Sequence, residues 1–348
     1  MDNTIGKIEE EFLEAFITSR CGEKRPEVLV KPGFGLDVSL VALPGNRVMA
    51  LTSDPLSLIP SLGLQESAWL SVQLMANDMA TTGFAPQYGQ FVLNLPAEFS
   101  QEDFKTYWEH IHTFCQKMGM AITGGHTGFV AGQNSTIAGG GTFISILPAD
   151  QALTADKAQA GEVLLVTKTA AISSSAILAM SFPETTKNRV GRELYQKACA
   201  AFYETSSLRD GLVAKGTTND ITAMHDVTEG GLLGAIYELA TAAGCGVHLD
   251  KNKLPVGPAQ AAVCEVFDLD PLQCIGAGSM IIACKKEKAA LVENRLLSAG
   301  IACSLVGELT DASHGMVLHE NDQRKALVYQ KKDPYWEAFF QASKQGWK

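Results

Sequence analysis

Three aspartates in the first half of the chain stand where packing alone has little use for a carboxylate. Asp37 follows the Gly-rich loop Lys31-Pro-Gly-Phe-Gly35 and opens a strand. Asp54 closes the next strand, in Leu51-Thr-Ser-Asp-Pro55. Asp78 lies in Met75-Ala-Asn-Asp-Met-Ala80, inside an otherwise apolar helix. Burying an unpaired carboxylate costs several kcal/mol unless it is paired or metal-bound. Three separated acids converging at strand ends supply the oxygen ligands that hard Mg²⁺ prefers, with water and phosphate completing the shell. Singly, Asp54 reads as well as a turn residue and Asp78 as a satisfied polar core group. The site reading rests on the three together with the motifs below.

Thr123-Gly-Gly-His-Thr127 follows a short strand. Read as a loop, its Gly124 and Gly125 let backbone N–H groups approach a phosphate, and His126 and Thr127 add side-chain donors. Ala138-Gly-Gly-Gly-Thr142 serves equally as a packing or turn device. In the second half, Met224-His-Asp-Val-Thr-Glu-Gly-Gly-Leu-Leu-Gly234 is the most informative stretch. Asp226 or Thr228 is expected to cap a helix beginning near Gly230. Gly230 and Gly231 would leave the N–H groups of that helix open to an anion. Lys168, at a strand end, reads either as a point charge for a phosphate or as an exposed lysine. The chain has no GxxxxGK[ST], GxSxG, HExxH or CxxC, which removes P-loop, hydrolase and structural-zinc readings.

The elements that must position these residues follow from periodicity. Residues 4–20 carry Ile5, Ile8, Phe12, Phe16 and Ile17 at helical spacing. Strands are expected at 38–42 and 47–52 around a Pro-Gly-Asn turn, and at 91–95, 120–123 and 142–147; helices at 66–81 and 101–118. Composition changes at 148–162, giving a domain over 1–150 and a second over 151–330. The second contains strands at 163–167, 246–249 and 279–284 and the segment 221–239. Residues 331–348 form a tail with a last helix. Alternating strands and helices in both halves indicate α/β or α+β domains.

The 348 residues are 46% hydrophobic and 19% charged, enough for packed cores. A net charge of −10 leaves little general attraction for nucleic acid or an anionic membrane. The start lacks a signal-peptide pattern, and no apolar run approaches the roughly 18 residues of a membrane span. Eight scattered cysteines read as buried small hydrophobes in a reducing compartment. The cytoplasm is the expected location.

The ordered series GxGLDVSLV (33–41), LTSDP (51–55), NDMATTGFAPQ (77–87), AITGGHT (121–127), AGEVLLVTK (160–168) and MHDVTEGGLLG (224–234) resembles the AIR synthase-like (PurM-like) superfamily. Residues 242–273 and AGSMIIA (277–283) resemble its HypE-like, AIR synthase-related branch of hydrogenase expression/formation proteins. The resemblance implies a two-domain AIR synthase-like fold. Its N-terminal sheet forms a barrel in a homodimer, and its C-terminal domain is α/β, with ATP bound between the domains near the dimer interface. It implies ATP and Mg²⁺ as cofactors, and phosphorylation of a carbonyl-, carbamoyl- or amide-type oxygen on a small-molecule or protein-bound substrate. It makes Asp54, Asp78 and His126 catalytic, and Asp37, Asp54 and Asp78 metal ligands. Asp37, Asn77, Gly124, Gly125, Thr127, Lys168, Asp226, Gly230 and Gly231 become cofactor-binding.

The sequence departs from that pattern at several positions. Leu36 replaces the first acid of the usual pair, Gly128 stands where the branch often has Glu, and Ser173-Ser174-Ser175 fill a stretch usually Gly-rich or acidic. The chain ends in Gln-Ala-Ser-Lys-Gln-Gly-Trp-Lys rather than the Pro-Arg-Ile-Cys of HypE, so carbamoyl transfer to a terminal cysteine is not expected. Two functions remain in play: an ATP-dependent enzyme, and a nucleotide-binding regulatory or partner-binding protein on the same scaffold with little turnover.

Overall fold

The computed structural model describes residues 6–8, 10–321 and 323–348. The first half builds a six-stranded sheet from β1 (Val28–Val30), β2 (Ser39–Leu43), β3 (Arg47–Ser57), β4 (Tyr88–Pro96), β5 (Ala121–Val130) and β6 (Ile137–Pro148). Their spatial order is β1-β2-β3-β6-β4-β5. Only β4 and β5 run parallel; the other pairs are antiparallel. Along β4, residues alternate strictly between exposed and buried. Phe91, Leu93 and Leu95 therefore point inward, where the helices Leu64–Ala80 and Gln101–Lys117 cover them.

The second half builds a seven-stranded sheet from β7 (Val163–Thr167), β8 (Ile221–Asp226), β9 (Cys245–Asp250), β10 (Met280–Cys284), β11 (Cys303–Asp311), β12 (Met316–Glu320) and β13 (Gln323–Ala326). The order is β13-β12-β9-β11-β7-β10-β8. β7 and β10 are buried at every residue, as their unbroken apolar runs require. The helix Gly231–Ala242 covers one face, through Leu232, Ile236 and Leu239 against Leu164 and Val166. The helix Ala289–Ser298 covers the other, through Val292 and Leu296 against Val163 and Leu165. The tail forms the expected last helix, Pro334–Lys344, seated by Tyr335 and Phe339 in a third core with Phe182 and Phe267.

Three local expectations are corrected. The Gly124–Thr127 stretch is not a loop: β5 runs straight through it. A Cβ on Gly125 would lie 1.8 Å from the Phe91 carbonyl oxygen, at a φ of +145°. That glycine serves close strand approach, and Gly139 does the same against Val92. Neither Asp226 nor Thr228 caps the helix Gly231–Ala242. The capping position is Gly230 in a left-handed conformation, without a side-chain cap. Of the helix expected over 4–20, the described part is Glu10–Ile17, whose last five residues are wound as a π-helix; Ile5 lies outside the described residues.

Candidate functional site

Asp37, Asp54 and Asp78 do converge, and residues of the second domain join them. Gly35 turns the loop before Asp37 onto the helix Gly231–Ala242. Its φ is +71°, and a Cβ there would meet the Glu238 carbonyl oxygen at 2.4 Å. Leu36 packs into the cores of both domains, which gives an apolar side chain a use at that position. Asp37 is thereby delivered to the end of β8. Its Oδ2 lies 2.6 Å from His225 Nδ1. The other ring nitrogen, Nε2, lies 3.0 Å from Glu238 Oε2. Glu238 Oε1 accepts from the Tyr329 hydroxyl at 2.8 Å.

The electrostatics follow from this crowding. Burial would lower the His225 pKa, but Asp37 and Glu238 outweigh it and hold the imidazole charged, well above its usual range. Burial likewise opposes ionisation of Glu238, yet Lys7, His225 and Tyr329 bring it down to about 2. Burial and then Asp37 push Asp226 up to about 8, against His225 and Lys7. Burial, with Glu229, raises Asp54 to about 6. Burial, then Asp226, Asp54 and Asp37, drive Asp78 far up, and only a 2.6 Å hydrogen bond from Thr52 Oγ1 to its Oδ2 relieves it.

Burial first, and the neighbouring acids second, disfavour the charged forms of Asp54, Asp78 and Asp226, and a cation among them would favour those forms. Asp226 Oδ2 is buried without a hydrogen-bond partner. Atoms of Asp37, His225 and Asp226 lie within 4.8 Å of one another; with both nitrogens of the charged His225 donating to carboxylates, the acids Asp37 and Asp226 are the members of this set able to hold a metal. The oxygen-dominated surroundings and the unpaired Asp226 oxygen fit a divalent cation such as Mg²⁺. Asp37 belongs to this tightest set; Asp54 and Asp78 flank it. Asp54 also lines an open cavity of about 470 Å³, with Ser53, Pro55, Val92 and residues 139–142.

Other expected site residues are placed elsewhere. Asn77 is buried and clamps the turn after residue 204: its Nδ2 donates to the Thr205 carbonyl at 2.9 Å, and its Oδ1 accepts from the Ser207 amide at 2.7 Å. Lys168 is neither exposed nor free. Its Nζ donates to the carbonyls of Glu204, Ser206 and Gly278 and pairs with Asp210 at 3.1 Å. The helix N-terminus at Gly230 and Gly231 receives an anion from the chain itself, since the Gly230 amide donates to Asp333 Oδ2 at 2.8 Å. Gly125 is in register with Asp54 through Phe91 and Gly141, across β4 and β6. That places Gly124–Thr127 three strand spacings, ~14 Å, from Asp54 within one chain.

Five further residues shape the site: Lys7, His225, Glu229, Glu238 and Tyr329. Glu238 was detectable by the argument that singled out Asp78, for it is a lone carboxylate in the apolar run Leu232–Leu239. His225 precedes Asp226 directly. Nothing in sequence spacing marks Lys7 or Tyr329.

Residues 35–146 match the AIR synthase related protein N-terminal domain, and residues 159–320 its C-terminal domain. The carbamoyl dehydratase HypE of Escherichia coli (strain K12) is 27% identical over 309 residues, 86% of this chain and 85% of that protein. Among solved structures, the chain superposes on the HypE–HypF complex with a TM-score of 0.73 at 18% identity, covering 92% of this chain and 99% of that one. It superposes on the hydrogenase maturation protein HypE in complex with ATP with a TM-score of 0.66 at 18% identity, covering 96% and 98%. At these identities the superpositions establish the fold.

Proposed function

The chain belongs to the AIR synthase related protein family, and on that premise we propose that it is an ATP-dependent enzyme of the HypE-like type. It binds Mg-ATP at the acid cluster between its two domains and phosphorylates a carbonyl-, carbamoyl- or amide-type oxygen. The observation that carries this reading is the convergence of Asp37, Asp54, Asp78 and Asp226 from both domains, with Asp226 Oδ2 buried and without a hydrogen-bond partner. Likeness to a carbamoyl dehydratase and to a fold solved with ATP supports it.

In this role Asp37 and Asp226, with Asp54 and Asp78 beside them, hold Mg²⁺, which when bound neutralises the phosphate oxygens and aligns the transferred group. His225 donates to Asp37 and Glu238 at once, which fixes the Asp37 carboxylate and ties the domains together. Phosphoryl transfer draws its rate from positioning and electrostatics, and a rigid interdomain clamp supplies both.

The remaining elements fit a homodimer. The outer face of the first sheet exposes Tyr88 and Val92, its edge strand β5 exposes Phe129 and Val130, and the start of β6 exposes Ile137. A second copy covering them would hide apolar area and the free edge of β5. It would also offer His126, Thr127 and the glycines before them a route to an ATP site that one chain leaves ~14 Å away. All eight cysteines are free thiols, which fits a reducing compartment such as the cytoplasm. No described helix is long and apolar enough to cross a membrane.

A second reading is favoured by one observation: the chain's own charges already meet groups of the site, the Lys7 ammonium 3.7 Å from Glu238 Oε1 and Asp333 Oδ2 accepting from the Gly230 amide at 2.8 Å. A nucleotide-binding regulatory protein would be built this way. ADP release across a panel of carbamoyl, amide and carboxylate compounds decides. Release with any of them supports the enzyme; nucleotide binding without release from any supports the regulator.

A further inference from the structure

Lys7 enters the acid cluster from a segment that precedes both domains. Its Nζ donates to Thr228 Oγ1 at 3.0 Å and stands 3.7 Å from Glu238 Oε1. Its backbone amide donates to Glu229 Oε2 at 2.8 Å, and Glu229 Oε1 is held by Trp336 Nε1 at 3.0 Å. The ammonium is therefore held by Thr228 and Glu238 of the second domain, and the backbone behind it by Glu229, which Trp336 of the tail steadies. Six carboxylates shape the field here: Asp37, Asp54, Asp78, Asp226, Glu229 and Glu238. Among the described residues, the cations set against them are His225 and Lys7.

These two cations differ in kind. His225 is buried between Asp37 and Glu238 and has no room to leave. The Lys7 side chain is half exposed, with a flexible stem between its anchored backbone amide and its ammonium. The Lys7 ammonium, beside Glu238, lies in the field of Asp37 and Asp226, and a divalent ion seated at those two acids would repel it, strongly so in a partly buried site. The ammonium must move when the metal arrives. A triphosphate beside the metal would offer it new oxygens.

We propose that Lys7 is a tethered counter-ion that a divalent metal must displace, and that nucleotide phosphates take up the displaced ammonium. Metal and nucleotide then bind as a pair, each poorly without the other. The inference rests on the Mg-ATP reading of the site and adds the chain's own means of coupling the two ligands.

The test uses the full-length protein with Mn²⁺ as probe. Affinity for Mn²⁺ alone and for Mn-ATP is measured by calorimetry in the wild type and in Lys7→Met, Lys7→Gln and Lys7→Arg. Lys7→Met and Lys7→Gln should bind Mn²⁺ alone at least about tenfold more tightly and Mn-ATP about tenfold more weakly, while Lys7→Arg stays near wild type in both. A merely structural lysine would move both affinities in the same direction. Unchanged Mn²⁺ affinity, or parallel movement of the two, overturns the proposal. If the wild type binds no Mn-ATP and Asp226→Asn leaves Mn²⁺ binding untouched, the ATP site itself is overturned.

Discussion

His225 Nδ1 stands 2.6 Å from Asp37 Oδ2, joining residues 188 positions apart across the two domains. With Glu238 on its other nitrogen, the ring is a buried ionic clamp. Breaking such a pair by removing one partner typically costs about 3–5 kcal/mol. His225→Leu should lose about that much stability in urea unfolding at pH 6. The folded pKa of His225 is raised above its ordinary 6.5. Its contribution is therefore full below pH 6.5 and fades as pH rises through the folded value. The gap between wild type and His225→Leu should narrow at alkaline pH; a gap constant from pH 6 to pH 10 would contradict the clamp.

Asp226 behaves in the opposite sense. Its folded pKa is raised from 3.8 to about 8, so the folded state resists its ionisation. The cost begins as pH rises past 3.8 and is complete above about 8. Metal-free Asp226→Asn should therefore be more stable than wild type at pH 8, by on the order of a few kcal/mol, and no more stable near pH 4. Denaturant unfolding at the two pH values checks this. A variant less stable than wild type at pH 8 would show that Asp226 is satisfied without a cation.

The adjacent glycines Gly124 and Gly125 of β5 are separable. A Cβ at Gly124 meets nothing nearer than Gln90 Nε2 at 4.0 Å, whereas one at Gly125 meets the Phe91 carbonyl. Gly124→Ala should change stability by less than about 0.5 kcal/mol, and Gly125→Ala should cost about 3 kcal/mol. Equal, small effects would restore the loop in place of the strand.

What the sequence disclosed divides along physical lines. Alternation in β4 and unbroken apolar runs in β7 and β10 placed their strands closely, because burial patterns are local. Asp78 stood out because a carboxylate among apolar neighbours needs an outside reason, whereas Asp54, between Ser53 and Pro55, reads alone as a turn residue and stood out only in company with the other acids and motifs. The Gly124–Thr127 stretch misled because glycine marks close backbone approach as readily as a phosphate loop, and only the neighbouring strand tells them apart. The expected cap at Asp226 failed for a related reason: the carboxylate is turned into the acid cluster, and Asp333, over a hundred residues on, meets the Gly230 amide instead. Lys7, Tyr329 and Asp333 reach the site through tertiary folding of the terminal segments, which no periodicity records.

Titration calorimetry of ATP with Mg²⁺ into the wild type, Asp78→Asn and Asp226→Asn tests the central claim most directly. The interdomain acid cluster predicts Mg-dependent ATP binding in the wild type and affinity weakened at least about tenfold in either variant. No binding by the wild type at millimolar ATP and Mg²⁺, or equal binding by all three proteins, would contradict it.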